Sequence, residues 1–203
     1  MKQHVSELTP EEFQKTFPIT LQEYDPDYQA WYEEEKEQIV KAVEKENISR
    51  INHIGSTSIP NIIAKPIVDI LLEITKECDV DALEKRLNAI DFGTEVCFRK
   101  NDPFELMMAK GMTVEGFREK VFLLHVRYAG EWDELYFRDY LLKYPAAAEE
   151  YSQLKRDILD GIEKGTIERM PNGKPNGYSC AKYDFGSQIS KKAKKEFKGR
   201  YKA

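Results

Sequence analysis

From Ile67 to Ile74 the chain reads Ile-Val-Asp-Ile-Leu-Leu-Glu-Ile, six apolar residues in eight. A half-buried strand alternates apolar and polar residues, and an amphipathic helix spaces its apolar residues three and four apart. This run does neither. It reads as a strand covered on both faces, so the rest of the chain must supply layers above and below it. Asp69 interrupts the run. Buried by sequence context, a carboxylate there is costly unless a cation or hydrogen bonds compensate it.

The covering layers are visible on either side. Thr9-Pro10-Glu11-Glu12 has the form of a capping box with proline at the first helical position. Pro18 to Tyr24 reads as extended. Asp25-Pro26 opens a helix to about Glu46, with Tyr28, Trp31, Tyr32, Ile39 and Val43 at helical spacing. Ile48 to Ile54 is a strand candidate, and Asp79 to Ile90 a helix. Gly93 to Arg99, Phe104 to Ala109 and Glu119 to Tyr128 read as strands, the last two joined around Gly111 and Gly116. Helices then take over: Trp132 to Lys143, Pro145 to about Lys164, and Tyr178 to Phe197. Gly165 to Gly177, rich in Gly, Pro and Asn, is a loop. Strands first and helices last give an α+β class, with a mixed sheet flanked by helices and a helical C-terminal third. At 203 residues the chain suits a single domain spanning 1–203.

Charge and cysteine content narrow the function classes. Met1 to Pro10 has no apolar run after its charges, so no signal peptide is expected. No stretch of ~18 apolar residues offers a membrane span. Cys78, Cys97 and Cys180 are widely spaced, which argues against a disulfide framework or a thiolate zinc site and points to a reducing cytoplasm. The net charge of −5 disfavours non-specific nucleic-acid binding. Residues 191–203 carry +6, leaving −11 on the remainder. This basic tail reads as a solvated helix end or as a patch for a polyanion. Oligomeric state is not encoded in any motif.

The chemistry-bearing residues cluster between His53 and Ile70. Gly55-Ser56-Thr57-Ser58 forms a tight turn whose N–H groups and hydroxyls suit phosphate oxygens. Lys65 adds a cation for the same anion, and Asp69 a carboxylate on the neighbouring strand. Together these are the parts of a metal-assisted phosphoryl or nucleotidyl transfer site. The alternative is a structural ion pair between Asp69 and Lys65 or an arginine. Alternation along Val121 to Tyr128 puts Leu123, His125 and Arg127 on one face. If that face looks toward Asp69, His125 binds metal or acts as acid-base; otherwise it is a core histidine.

The run GSTSIP…AKPIVDI, from Gly55 to Ile70, resembles the signature of the GrpB family. Tyr24-Asp25-Pro26, Lys110-Gly111, His125-Val126, Phe137-Arg138-Asp139-Tyr140-Leu141 and the Tyr-x-x-x-Lys elements at Tyr151 to Lys155 and Tyr178 to Lys182 extend the likeness from about Leu21 to Ile189. The resemblance implies the fold of nucleotidyltransferases, in which a Gly-Ser turn holds phosphates and strand carboxylates hold divalent metal. It therefore implies a nucleotide or phosphorylated small molecule as partner, Asp69 as metal ligand and Mg²⁺ as cofactor. Arg138 has the fork geometry of a phosphate clamp, with a helix-to-sheet ion pair as the alternative. Lys155 and Lys182 read as solvated helix lysines.

Two departures matter. Leu71 stands two residues after Asp69, where active nucleotidyltransferases carry a second acid. Glu73 lies ~13 Å along the strand, too far to share a centre whose metals sit ~3.5–4 Å apart. Asn61 stands where the family often has glycine, and tolerates the left-handed region that a turn there requires. The expected function is accordingly nucleotidyl transfer from a nucleoside triphosphate to a small acceptor, or binding of a nucleotide or phosphometabolite without chemistry.

Overall fold

The computed structural model describes residues 4–93, 98–174 and 176–202. Its centre is a five-stranded mixed sheet: β1 (Ile48–Ile54), β2 (Val68–Ile74), β3 (Arg99–Asn101), β4 (Phe104–Thr113) and β5 (Gly116–Tyr128). The spatial order is β1-β2-β5-β4-β3. Central β2 pairs antiparallel with β1, setting Ile54 opposite Asp69, and parallel with β5, setting Leu71 opposite His125. Both faces of β2 are covered, as its composition requires: every residue but Asp69 is buried.

One face carries Val68, Ile70, Leu72 and Ile74 of β2 with Phe122, Leu124 and Val126 of β5. Helices α2 (Asp27–Val43) and α3 (Val80–Asn88) cover it, and Tyr28, Ile39 and Leu87 are wholly buried there. Each fully buried side chain of this size contributes about 1.5–3 kcal/mol of transfer free energy, so this layer is the main core. The opposite face is smaller. Leu71 packs with Ile54 of β1 and Leu135 of α4 (Asp133–Lys143), closed off by Trp132 and Tyr201. α5 (Pro145–Glu163), α6 (Gly177–Ala181) and α7 (Tyr183–Glu196) complete the helical C-terminal third. The short N-terminal α1 (Pro10–Thr16) has the expected capping box, with Thr9 and Glu12 each bonding the other's backbone.

Several boundaries differ from those read in the sequence. The expected strand over Gly93 to Arg99 falls partly on residues 94–97, and with them Cys97, outside the described residues. Gly93 makes an isolated bridge to Ala109, and β3 spans Arg99–Asn101. β4 and β5 extend past their apolar cores to Thr113 and Gly116, because the hairpin ladder persists where burial has ended. The helix expected over Tyr178 to Phe197 is two helices, interrupted at Lys182. Residues 191–202 are no separate tail: they end α7 and fold back, with Lys194 paired to Asp133 at 2.5 Å and Arg200 to Asp139 at 2.6 Å.

Candidate functional site

β1 ends at Ile54, and the chain turns at Gly55 with φ 72° and ψ −173°, a region open essentially to glycine alone. The turn brings the Gly55 backbone against the carboxylate of Asp69. A Cβ at position 55 would stand 2.4 Å from Asp69 Oδ2. Glycine is thus required twice, for the backbone angle and for the close approach. Gly55→Ala is expected to destabilise by about 1–3 kcal/mol, lowering Tm by roughly 2–4 °C per kcal/mol in a chain of this size. A thermal melt unchanged by the substitution would refute this account of the turn.

The residues after Gly55 divide their work. Thr57 is buried; its hydroxyl donates to the Ile67 carbonyl at 3.1 Å and accepts from His53 Nε2 at 3.0 Å. Burial pushes His53 down to about 4, so it is neutral, and this network places its proton on Nε2. The Ser58 hydroxyl donates to the Gly55 carbonyl at 2.6 Å and closes the turn on itself. Thr57 and Ser58 are therefore committed to holding the turn. Ser56 alone of the three hydroxyls lines the adjoining cleft.

That cleft, about 200 Å³ in volume, lies between the sheet and the C-terminal helices, with Ser56, Lys65, Asp69, Lys155, Tyr178 and Lys182 among its walls. Lys155 projects from the inward stripe of α5, in line with Ala148, Tyr151, Ser152, Ile158 and Ile162. Its ammonium donates to Ser56 Oγ at 3.2 Å and to the Ile63 carbonyl, while Ser152 Oγ accepts from Ile63 N at 3.3 Å. α5 thereby holds both backbone groups of Ile63 and pins the loop that leads into β2. Lys182 sits at the break between α6 and α7, its Nζ 4.3 Å from the centre of the Tyr178 ring.

Burial makes these lysines abnormal. It pushes Lys155 down to about 7, and repulsion from Lys182 and Arg156 adds to the effect. It pushes Lys182 down to about 8, with Asp69 opposing and Lys65 reinforcing the shift. Lys65 is lowered by burial too, with Asp69 opposing. Burial drives Tyr151 up to about 12, while a hydrogen bond to Ser56 works against it. Three lysines thus face one carboxylate in a partly desolvated space, and each of the three is easier to keep charged once an anion joins them.

The structure brings together Gly55, Ser56, Lys65, Asp69 and His125, whose Nε2 lies 3.3 Å from Asp69 Oδ1. The alternation along β5 thus points His125 toward Asp69. Asp69 itself is not buried as its surroundings in sequence imply: its side chain is 27% exposed, because it borders the cleft between the sheet and the C-terminal helices. The wholly buried acid is Glu73, which accepts two hydrogen bonds from Arg50 at 2.7 and 2.6 Å and one from Gly130 N at 3.0 Å. Arg138 does not line the cleft. Its guanidinium bonds Asp139, Asn52, the His53 carbonyl and Tyr201, which makes it the helix-to-sheet tie rather than a free clamp. Asn61 adopts the left-handed conformation, φ 63°. Lys155 and Lys182, expected as solvated helix lysines, line the cleft instead. The available signal was the Tyr-x-x-x-Lys spacing, repeated at Tyr151 and Tyr178.

The donors for a metal are few. Leu71 fills the position of a second acid and is wholly buried, and Glu73 is bound to Arg50. Among the described residues no group of three His, Cys, Asp or Glu side chains could hold a metal ion. Mg²⁺ requires an octahedral shell of oxygens and takes phosphate oxygens readily beside one carboxylate. The residues present therefore fit a single Mg²⁺ that shares Asp69 with a phosphate ligand, and do not fit a two-metal centre.

A five-stranded mixed sheet with helices on both faces, a Gly-Ser turn set against a strand carboxylate and lysines reaching in from a helical C-terminal layer define an α+β class with a cationic cleft beside the sheet. The chain belongs to the GrpB family, whose profile, described as GrpB protein, matches residues 18–192. A UPF0157 protein of Halalkalibacterium halodurans is 33% identical over 143 residues, 69% of each chain. The glutamate-rich protein GrpB of Alkalihalophilus pseudofirmus is 28% identical over 174 residues, 84% of this chain and 93% of that protein. The crystal structure of the conserved protein GrpB from Enterococcus faecalis matches with a TM-score of 0.69 and 27% identity, covering 88% of this chain and 99% of that one. Among the described residues, no helix is long and apolar enough to cross a membrane.

Proposed function

We propose that the cleft binds the phosphate groups of a nucleotide or phosphorylated small molecule. The observation that carries this reading is the convergence of Lys65, Lys155 and Lys182 on one cleft with Ser56, where Asp69 is the one acid among the described lining residues. Lysines lowered by burial and by one another are stabilised by an incoming dianion, and Ser56 and Lys155 already present donors at the turn. Charge neutralisation comes from the protein's own ammonium groups, so binding does not depend on metal.

A second reading, nucleotidyl transfer, draws on Asp69 lying against Gly55 with His125 at its other side. Mg²⁺, when bound, would polarise the phosphoryl oxygen. Asp69 would hold it, His125 would orient that carboxylate, and Lys65 and Lys182 would hold the remaining phosphate charge. Isothermal calorimetry with ATP, with and without Mg²⁺, separates the two. The first reading expects binding without metal, weakened at least tenfold in Lys182→Ala and retained in Asp69→Ala. Binding that requires Mg²⁺ and disappears in Asp69→Ala would give the site to transfer chemistry. Absence of binding under all these conditions would overturn both.

A further inference from the structure

A second cavity, of about 270 Å³, opens beside the lysine cleft and shares Lys65, Tyr178 and Ser179 with it. Its other walls are of a different kind. Phe13 of α1, Phe17 just after it and Ile162 of α5 are apolar, while Gln14, Glu163 and Arg169 bring hydrogen-bonding groups of both signs. The wall is firmly built. Phe17 is buried, with Phe13 at 4.9 Å and Phe117 at 5.0 Å from its ring centre, and Lys65 Nζ lies 5.8 Å from the Phe117 ring centre. The far side is closed by the loop between α5 and α6. Gly177 N donates to the Arg169 carbonyl at 3.1 Å, and a Cβ at Gly177 would stand 2.1 Å from the Glu168 carbonyl oxygen. This approach fixes Arg169 and Tyr178 at the same opening.

α1 has a full capping box yet contributes no buried residue of its own. Its one phenylalanine, Phe13, instead faces a space bordered by polar side chains. Aromatic faces with a few placed donors and acceptors are the pattern of a pocket for a flat, partly polar ring. The two cavities together fall within the ~300–1,000 Å³ of ordinary small-molecule sites. We infer that the second cavity receives the heteroaromatic ring of the ligand whose phosphates sit among the lysines, with Phe13 and Tyr178 as its apolar walls and Arg169, Glu163 and Gln14 reading its polar edge. The ligand class is then a phosphate ester that carries such a ring. This inference rests on the phosphate reading of the neighbouring cleft.

The test compares a probe with phosphates alone, inorganic tripolyphosphate, with the four ribonucleoside triphosphates, by calorimetry on the full chain. Wild type is expected to bind the best nucleotide at least tenfold more tightly than tripolyphosphate. Phe13→Ala and Arg169→Ala are each expected to remove most of that advantage while leaving tripolyphosphate affinity within twofold. Neither side chain lines the lysine cleft, and Phe13 is only partly buried, so both variants are expected to fold. Tripolyphosphate binding equal to that of every nucleotide, or a nucleotide advantage that survives both substitutions, overturns the ring subsite and leaves the phosphate reading standing. If none of the five probes binds, the phosphate reading falls and this inference with it.

Discussion

Replacing Arg50 by alanine is expected to destabilise the fold by about 3–5 kcal/mol, a large part of the roughly 5–15 kcal/mol that holds a domain of this kind. The reason is the environment of its partner. Glu73 is wholly buried in β2, and its carboxylate receives Arg50 Nε and Nη2 and the Gly130 amide. Arg50 spends its other contacts on the carbonyls of Gly130 and Tyr201, so it joins β1 to the chain end as well. Without the guanidinium, a desolvated carboxylate keeps one amide bond and must ionise unpaired or take up a proton. Urea unfolding at pH 7 measures the loss. The double replacement Arg50→Met with Glu73→Leu should recover most of it, since an apolar pair leaves no buried charge. A single-variant loss below about 1 kcal/mol, the range of an exposed ion pair, would show that Glu73 is solvated in the folded protein.

The same pair shows what the sequence could and could not convey. Six apolar residues in eight announced a strand covered on both faces, and the spacing of two put Asp69, Leu71 and Glu73 on one side. Pattern does not say where the covering layer leaves a cleft. Asp69 opens onto the cleft under the C-terminal helices and reaches solvent, while Glu73, four residues on, is closed in and needs Arg50. The His125 face followed from the same alternation. Arg138 resolves to the helix-to-sheet alternative, and Lys155 is buried rather than solvated, each for another reason. Each is bonded to residues 85 to 99 positions away, and nothing local reports such partners. For Lys155 a local signal existed, because it interrupts the inward stripe of α5 at helical spacing. A lysine there is buried by geometry, whatever the habits of lysines on exposed helix faces.

Phosphate binding is expected to weaken by about tenfold to a hundredfold between pH 7 and pH 9, and Lys155→Met is expected to remove much of that dependence. A phosphate ester with a second pKa near ~6 is already a dianion over this range, so the change belongs to the protein. Lys155 lies at about 7 and Lys182 at about 8 in the free cleft. Each loses up to tenfold of its charged form per pH unit above its pKa, and the bound anion favours the charged form, so binding takes up protons. Folding stability should move in the opposite direction. The lysine pKa is lower folded than unfolded, so the unfolded chain binds more protons between about 7 and the ordinary 10.5, and stability rises with pH across that window. Calorimetry of binding of a phosphate monoester, AMP, in buffers of different ionisation enthalpy reads the proton uptake, and urea unfolding at pH 7 and 9 reads the stability slope. Lys155→Met should flatten both, because it keeps the length of the side chain and removes the titrating group. Wild-type affinity that is unchanged from pH 7 to 9 would mean that the lysines stay charged in the free protein, and the cleft would then be an exposed cationic surface rather than a desolvated anion site.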